Sequence, residues 1–560
     1  MSSGGAFLLA ASLPSDVLTP EDLTEDHRAI GRTIDEFWAQ EIEPALPALF
    51  RHEPGVARRL LQRAATLGLT AMQIPEAWGG LALDLTSVMV AVEHLSDDAS
   101  YSGWHLGHTG IGTLPLVFYG TEDQQRRYLP RLATAEMIAA YALTEAQAGS
   151  DALGIRTRAD LSADGRHYLL TGQKMWITNG GEADLFTVFA KVGGDAFTAF
   201  LVERTSGVTS GAEEHKMGLT GTSTTAVYFD RVPVPVANVL GDIGQGHRIA
   251  FNILNTGRLK MGPLAIRGAK KVLKASAAYA AERRAFGAPI GHFGAVREML
   301  ADSAVRLFAI ESATWRVVGL IEADAARRRA AGRPAPVAEL EAFEEFAGEC
   351  SIVKVASSEM LDAVADHGVQ IHGGYGYHRD YLVERAYRDA RINRIFEGTN
   401  EINRLLLPGL FLKRAARAGT ALADAATAAL TELAGSPSMP PAADDAAIVG
   451  RARALTLAMM GAAIARHGED FRTEQEITLR VADAMIETFV IESCVARAAR
   501  TGTTMATIYL HDALPRIVQA ASEVFAATMD GAAARAATEA ARAAGASVPV
   551  DVIGLRRALG

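Results

Sequence analysis

The stretch HYLLTGQKMWITNG, His167–Gly180, breaks the texture of everything before it. Aromatic and β-branched residues alternate with polar ones and the run halts at Asn-Gly, a turn signal, so the pattern predicts a strand. LFTVFAKV (185–192), TAFLVER (198–204) and TTAVYFDRVPV (224–234) repeat it, with Gly, Asn and Asp between them. Residues 141–245 are expected to form a β domain of antiparallel strands.

Outward from that segment the period changes. From TPEDLTEDHRAIGRTIDEFW (19–38) onward, apolar residues recur every three or four positions, and Thr24 stands as an N-cap before an acidic first turn. Residues 1–140 are expected to be a helical domain. Helical periodicity returns over 246–413, broken by the loop HGGYGYHRD (372–380). Residues 414–445 are expected as a linker because GSPSMPPAADD, Gly435 to Asp445, is rich in Pro, Gly and Ser. AAIVGRARALTLAMMGAAIARHG and TLRVADAMIETFVIESCVARAAR then predict a further helical domain over 446–560. The fold class is mainly α with a central β domain.

The 560 residues carry a net charge of −10, with 49% apolar and 21% charged residues, the composition of a packed globular protein. An acidic chain repels phosphate backbones, so nucleic acid is not expected as a partner. Cys350 and Cys494, the two cysteines, lie far apart in helical contexts, which supports neither a disulfide scaffold nor a thiolate zinc site. No metal site is expected. AFLLAASL (6–13) is too short to cross a bilayer and lacks the basic residues that precede a signal sequence's apolar core; it is expected to dock on the protein itself. The expected location is therefore cytoplasmic.

Among chemistry-bearing motifs, the dinucleotide glycine loop, the Walker lysine loop, the paired-histidine zinc motif and the serine elbow are missing. YALTEAQAGSDA (141–152) sets Thr144 and Ser150 around Gly149, hydroxyls and a flexible backbone able to bind a polar cofactor edge, although turn chemistry alone produces such a pattern. In KMWITNGG, Trp176 and Thr178 share a strand face, as a core pair or as the wall of a ring-binding site. RIFEGTNEIN (394–403) places Glu397 after the apolar pair Ile395 and Phe396 and before Gly398. A carboxylate against apolar groups gains basicity as water is expelled.

With ALTEAQAGSD, KMWITNGG and HKMGLTGTSTTAVYFDRVPVPVANVLG in one β segment, the chain resembles the acyl-CoA dehydrogenase family. The likeness continues through IPEAWGG, YGTEDQQRRYLPRL, ERRAFGAPIGHFGAV, VQIHGGYGY and YRDARINRIFEGTNEINR, covering about residues 19–413 in family order. Asn255 in ILNTGR, Gly294 in HFGAV and the long tail after the core make the chain similar to the very-long-chain type, which has an extra helical domain. The resemblance implies a helical domain, a β domain and a four-helix bundle holding FAD. It also implies dehydrogenation of a fatty acyl-CoA to a trans-2-enoyl-CoA in fatty-acid β-oxidation, with electrons passed to an electron-transfer flavoprotein. An acyl-CoA oxidase using O2, or a flavin-binding scaffold without turnover, are the alternatives.

By the same resemblance Glu397 is the base that takes the α-proton, with Ile395 and Phe396 as its dry wall and Gly398 beside the thioester. Tyr141, Leu143, Thr144, Gly149, Ser150, Trp176, Ile177, Thr178, Phe396, Thr399 and Glu401 match cofactor contacts. Arg283, Phe286, Phe293, Gly294, Gln370, Gly373 and Gly374 match positions that reach the FAD of a neighbouring subunit, which implies a homodimer or a dimer of dimers. Ser150, Asn255, Arg258 and Gly398 match substrate contacts. Gly294 replaces a Gln and Thr220 a basic residue common in relatives, so contacts there must differ. A peripheral contact of the C-terminal domain with the inner membrane surface is compatible with its apolar LTLAMMG segment, although such a face is more commonly core.

Overall fold

His167–Thr178 is a strand whose alternation buries Tyr168, Leu170 and Lys174, and a break in its register after Lys174 exposes Trp176. It belongs to an eight-stranded sheet with β1 at Ala139–Ala142, β2 at Arg158–Leu161, β3 at His167–Thr178 and β4 at Leu185–Val192. The remaining strands are β5 at Ala196–Glu203, β6 at Val208–Glu213, β7 at Thr224–Pro235 and β8 at Val239–Leu240. The order is β6-β7-β3-β2-β4-β5-β8, with β1 also paired to β4. The pairing is not wholly antiparallel, because β4 runs parallel to both β1 and β2. Two reversals, from β2 into β3 and from β3 into β4, return the chain to its starting direction, which a local turn pattern does not disclose.

The computed structural model describes residues 3–435 and 439–559. They fall into two compact units, one made of Thr24–Gly268 with Asp324–Glu344, the other of Met1–Leu23, Ala269–Ala323 and Glu345–Gly560. The sheet lies in the first. There Phe189, Leu201 and Leu240 from the sheet share a core with Tyr128, Leu129 and Leu132 of the Glu122–Ala133 helix and with Ile249 and Ile253. Thr24 caps the Glu25–Phe37 helix, its side chain accepting from the His27 N–H, as its place in the sequence predicts.

One ion pair in this unit is fully enclosed. Lys174 is 0% exposed and its Nζ donates to Glu145 Oε1 at 2.8 Å and to the Leu143 carbonyl at 3.1 Å. Glu145 also accepts from the Thr157 hydroxyl and from the N–H groups of Arg156 and Thr157. Burial opposes ionisation of Glu145, but the Lys174 ammonium and these donors override it and hold the carboxyl below its ordinary range. Burial draws the Lys174 ammonium down in turn, against the pull of Glu145.

The second unit is mainly helical, with Ala347–His372, Asn400–Ala418, Leu422–Gly435, Asp445–His467, Gln475–Thr501 and Met505–Thr528 among its helices. The segment 414–445 is thus mostly helix and not linker. Its alanines carry high helix propensity, and Ala426 and Leu433 are buried. Residues 436–438 of the expected linker lie outside the described residues. Among the described residues, Asp445–His467 is long and apolar enough to cross a membrane, with mean hydropathy 1.4, but 67% of that window is buried within the protein. Its LTLAMMG segment is therefore core.

The first residues of the chain dock here. Phe7 packs edge-on against Phe411 and Phe489, with ring centroids 5.5 and 5.0 Å away. The Gly5 N–H donates to Glu349 Oε1 at 2.7 Å, and Arg453 donates to the Phe7 carbonyl. Glu349 is 1% exposed, and burial pushes its carboxyl up to about 7 against the Gly5 N–H. With an ordinary value of 4.5 in the unfolded chain, the folded state binds more protons between the two values. Stability from this group therefore falls as pH rises from about 4.5 to about 7 and stays low above that.

Glu349→Gln is expected to raise the unfolding free energy at pH 8 by up to about 3 kcal/mol and to change it little near pH 4.5. Urea titrations at the two pH values check this, and an equal effect at both excludes it. Lys174→Met, which strands the Glu145 carboxylate, is expected to destabilise by about 3–5 kcal/mol. Adding Glu145→Gln should recover part of that loss in the same assay.

Candidate active site

The loop after β1 is shaped by main-chain bonds to β3. Glu145 and Ala148 exchange N–H and carbonyl bonds at 3.1 and 3.0 Å, closing a tight turn, and the Met175 N–H donates to the Thr144 carbonyl at 2.9 Å. The β3–β7 register slips between Lys174 and Ile177, so Trp176 sits in a bulge. Trp176 has φ +56 and is 59% exposed. A bulky residue with positive φ persists only where its surroundings determine it, and such residues gather at ligand sites. Ile177 is buried and Thr178 half-buried, and Asn179, also at positive φ, donates to the Trp104 carbonyl.

Gly149 and Ser150 are exposed, and a Cβ on Gly149 would meet nothing within 4 Å. Thr144 is half-buried. Tyr141 and Leu143 are core residues, each 8% exposed, with the Tyr141 hydroxyl donating to the Ala250 carbonyl. Such residues, like Ile177, have mainly backbone to offer a ligand. An exposed indole fixed at strained φ and tied through Met175 to an open hydroxyl-bearing loop fits a flat aromatic ring with polar edges. Asn255 and Arg258, expected at a channel wall, are 5% and 6% exposed and bonded to each other at 3.0 Å.

In the other unit, Glu397 follows the short helical turn Arg391–Arg394 and has φ +57, with Gly398 next at φ +80. Two consecutive left-handed residues reverse the chain. Thr399 then caps the Asn400–Ala418 helix, its hydroxyl oxygen accepting from the Ile402 N–H. Glu401 is in the first turn, where its own backbone N–H holds its carboxyl below the ordinary range. Glu397 is half-buried, and its Oε2 is completely covered. Ile395 and Phe396, expected as its dry wall, are 48% and 37% exposed, because the turn into Glu397 leaves both at the surface of the chain.

Of the seven positions expected to face a second subunit, Arg283, Gly373 and Gly374 line one cavity of about 560 Å³ together with Tyr279, His372 and His378. The Arg283 guanidinium lies 5.5 Å over the Tyr375 ring. Tyr279 stacks on His372 at 4.2 Å. This mix of cation, stacked rings and glycine backbone suits an anionic ligand. Phe286 is 97% exposed at φ +51 and meets Phe293 edge-on, while Gln370 is exposed and a Cβ on Gly294 would meet open space. Tyr279 has no motif that distinguishes it in the sequence, and His372 stands there only as the first residue of the HGGYGYHRD loop. Lys174 and Lys354 are not distinguished either, since nothing local separates a lysine on a buried face from one facing solvent.

Family models match most of the chain. Acyl-CoA dehydrogenase, N-terminal domain, covers residues 24–136; the middle domain covers 140–232; and two C-terminal domain models cover 244–408 and 451–543. A probable acyl-CoA dehydrogenase of Bacillus subtilis (strain 168) is 44% identical over 505 residues, which is 89% of this chain and 85% of that protein. The mitochondrial very long-chain specific acyl-CoA dehydrogenase of Rattus norvegicus is 38% identical over 358 residues, 62% of this chain and 52% of that protein. The chain therefore spans about half the length of that relative. The crystal structure of an acyl-CoA dehydrogenase complexed with FAD from Bacillus anthracis superposes with a TM-score of 0.96 at 40% identity, covering 100% of this chain and 98% of that one. With its helical, β and helical domains and an extra C-terminal helical domain, the chain belongs to the acyl-CoA dehydrogenase family of FAD-dependent oxidoreductases.

Proposed function

We propose that the protein dehydrogenates long-chain fatty acyl-CoA thioesters to trans-2-enoyl-CoA, with Glu397 as the base. The observation that carries this is the Glu397 turn: an acid with one oxygen covered, held at φ +57 next to a glycine. Strain of that kind is retained where geometry must be fixed in advance. Glu397 removes the proton α to the thioester carbonyl and ends the step as a neutral carboxylic acid. FAD, when bound, takes up the hydride equivalent from Cβ, so one C–C single bond becomes a double bond. Gly398 leaves room for the thioester to approach the main chain.

Trp176, Thr144, Gly149 and Ser150 are the residues proposed to hold the flavin ring and its neighbouring polar groups. The cavity with Arg283, Gly373 and Gly374 fits the anionic diphosphate of a cofactor carried by a second copy, and the nearly bare ring of Phe286 suits burial against that copy. A homodimer is the smallest assembly that serves this arrangement. Asn255 and Arg258 are proposed to border the acyl channel. An electron-transfer flavoprotein is the proposed acceptor of the electrons.

The test is anaerobic mixing of the flavin-loaded protein with a ladder of saturated acyl-CoAs, following bleaching of the flavin band. Bleaching is expected to be fastest with long chains. Glu397→Gln should keep its yellow cofactor and bleach about 10²–10⁴-fold more slowly, the usual contribution of a general base. Bleaching of that variant at the normal rate would remove Glu397 from the chemistry. Rapid reoxidation in air with release of peroxide would instead mark an oxidase.

A further inference from the structure

Lys354 lies in the third turn of the Ala347–His372 helix and is 0% exposed. An ammonium there is costly to bury unless its protons are accepted in good geometry. Its Nζ donates to the Gly398 carbonyl and to Asn400 Oδ1, both at 2.7 Å. Asn400 is fixed in turn, its Nδ2 donating to Ser358 Oγ and Glu359 Oε1 at 3.0 Å each. One turn further on, Asn403 Nδ2 lies within reach of three successive carbonyls, those of Glu397, Gly398 and Thr399, at 3.3, 2.8 and 3.0 Å. An ammonium and a carboxamide thus hold every carbonyl of the Glu397–Thr399 turn.

In a trans peptide the N–H points opposite to its carbonyl. Holding the carbonyls of Glu397 and Gly398 therefore turns the N–H groups of Gly398 and Thr399 the other way. It also stiffens the left-handed backbone at Glu397 and Gly398, which an acid in isolation does not favour. We propose that Lys354 is a positioning residue for Glu397: with Asn403 it clamps the turn by its carbonyls and so fixes where the carboxylate stands relative to substrate. The role depends on Glu397 being the base. Lys354 itself, enclosed at the helix interior, acts through the turn and does not touch the reacting atoms. A buried charge is costly, and placing one behind this turn matches a demand for geometry more than for stability.

The experiment uses full-length, flavin-loaded Lys354→Met, which keeps the side chain's length and loses its charge and hydrogen bonds. Flavin content, far-ultraviolet circular dichroism and the titrated affinity for a long-chain acyl-CoA are expected to stay within about threefold of the parent. The anaerobic bleaching rate is expected to fall about 10–100-fold, with its pH profile displaced, since a misplaced base loses alignment before it loses substrate. Lys354→Gln, which restores one donor, should recover part of the rate. A Lys354→Met protein that bleaches at the parental rate overturns the proposal, and so does one whose rate falls only in proportion to lost substrate affinity. Should that variant shed its flavin, Asn403→Ser decides by the same rate-against-affinity split: a selective rate loss supports the clamp, and a parental rate overturns it. Glu397→Gln run alongside separates the two assignments. If it bleaches normally the base assignment fails, whereas a dead Glu397→Gln beside a fully active Lys354→Met removes only the role of Lys354.

Discussion

Ammonium groups enclosed in protein and bonded to main-chain carbonyls restrain the chain beside two strained residues, Trp176 in one unit and Glu397 in the other. Lys174 holds the Leu143 carbonyl, next to the Thr144 loop, and lies two residues before the strained Trp176. Lys354 holds the Gly398 carbonyl, one residue after the strained Glu397. Neither cation is exposed, and each spends its hydrogen bonds on backbone rather than on another side chain alone. A carbonyl oxygen is a fixed acceptor, so a cation bound to it restrains the chain itself. That is a stronger constraint on a neighbouring residue's φ than packing, which tolerates small shifts.

Much of the architecture is legible in the sequence because it rests on local rules. Period-two alternation in His167–Thr178 and in Thr224–Pro235 marks strands, and Thr24 is visible as a cap before its helix forms. What fails is what depends on partners distant in the chain. The parallel pairing of β4 with β1 and β2 is a result of topology, and the Leu422–Gly435 helix adds to its alanine propensity neighbours that cover Ala426 and Leu433. The site was legible mainly as a resemblance: a Glu after Ile-Phe has no local mark of function, and the apolar pair beside it turns out to be exposed. Lys174 and Lys354 escape a local reading since a lysine is ordinarily assigned to the solvent face.

Electrostatics divides the molecule's buried charges into two kinds. Around Lys174 and Glu145 the donors outweigh burial, so both groups are ionised and the pair is a fixed dipole under β3. Around Glu349 burial wins, with one N–H from Gly5 set against it, and the carboxyl titrates close to neutrality. The difference follows from partner count. Glu145 has an ammonium and several N–H and O–H donors within hydrogen-bond distance, while the Oε2 of Glu349 has none among the described residues.

The docking of Phe7 between Phe411 and Phe489 ties together segments that leave the ribosome far apart in time. The residues of the sheet-bearing unit are all synthesised by Glu344, so its core can close while the tail is still unmade. The helical unit cannot: Phe7 emerges first and must wait for the Gln475–Thr501 helix before its second aromatic neighbour exists. During that interval an apolar segment near the start of the chain stays uncovered, an opening for chaperone capture or for misassociation between nascent chains.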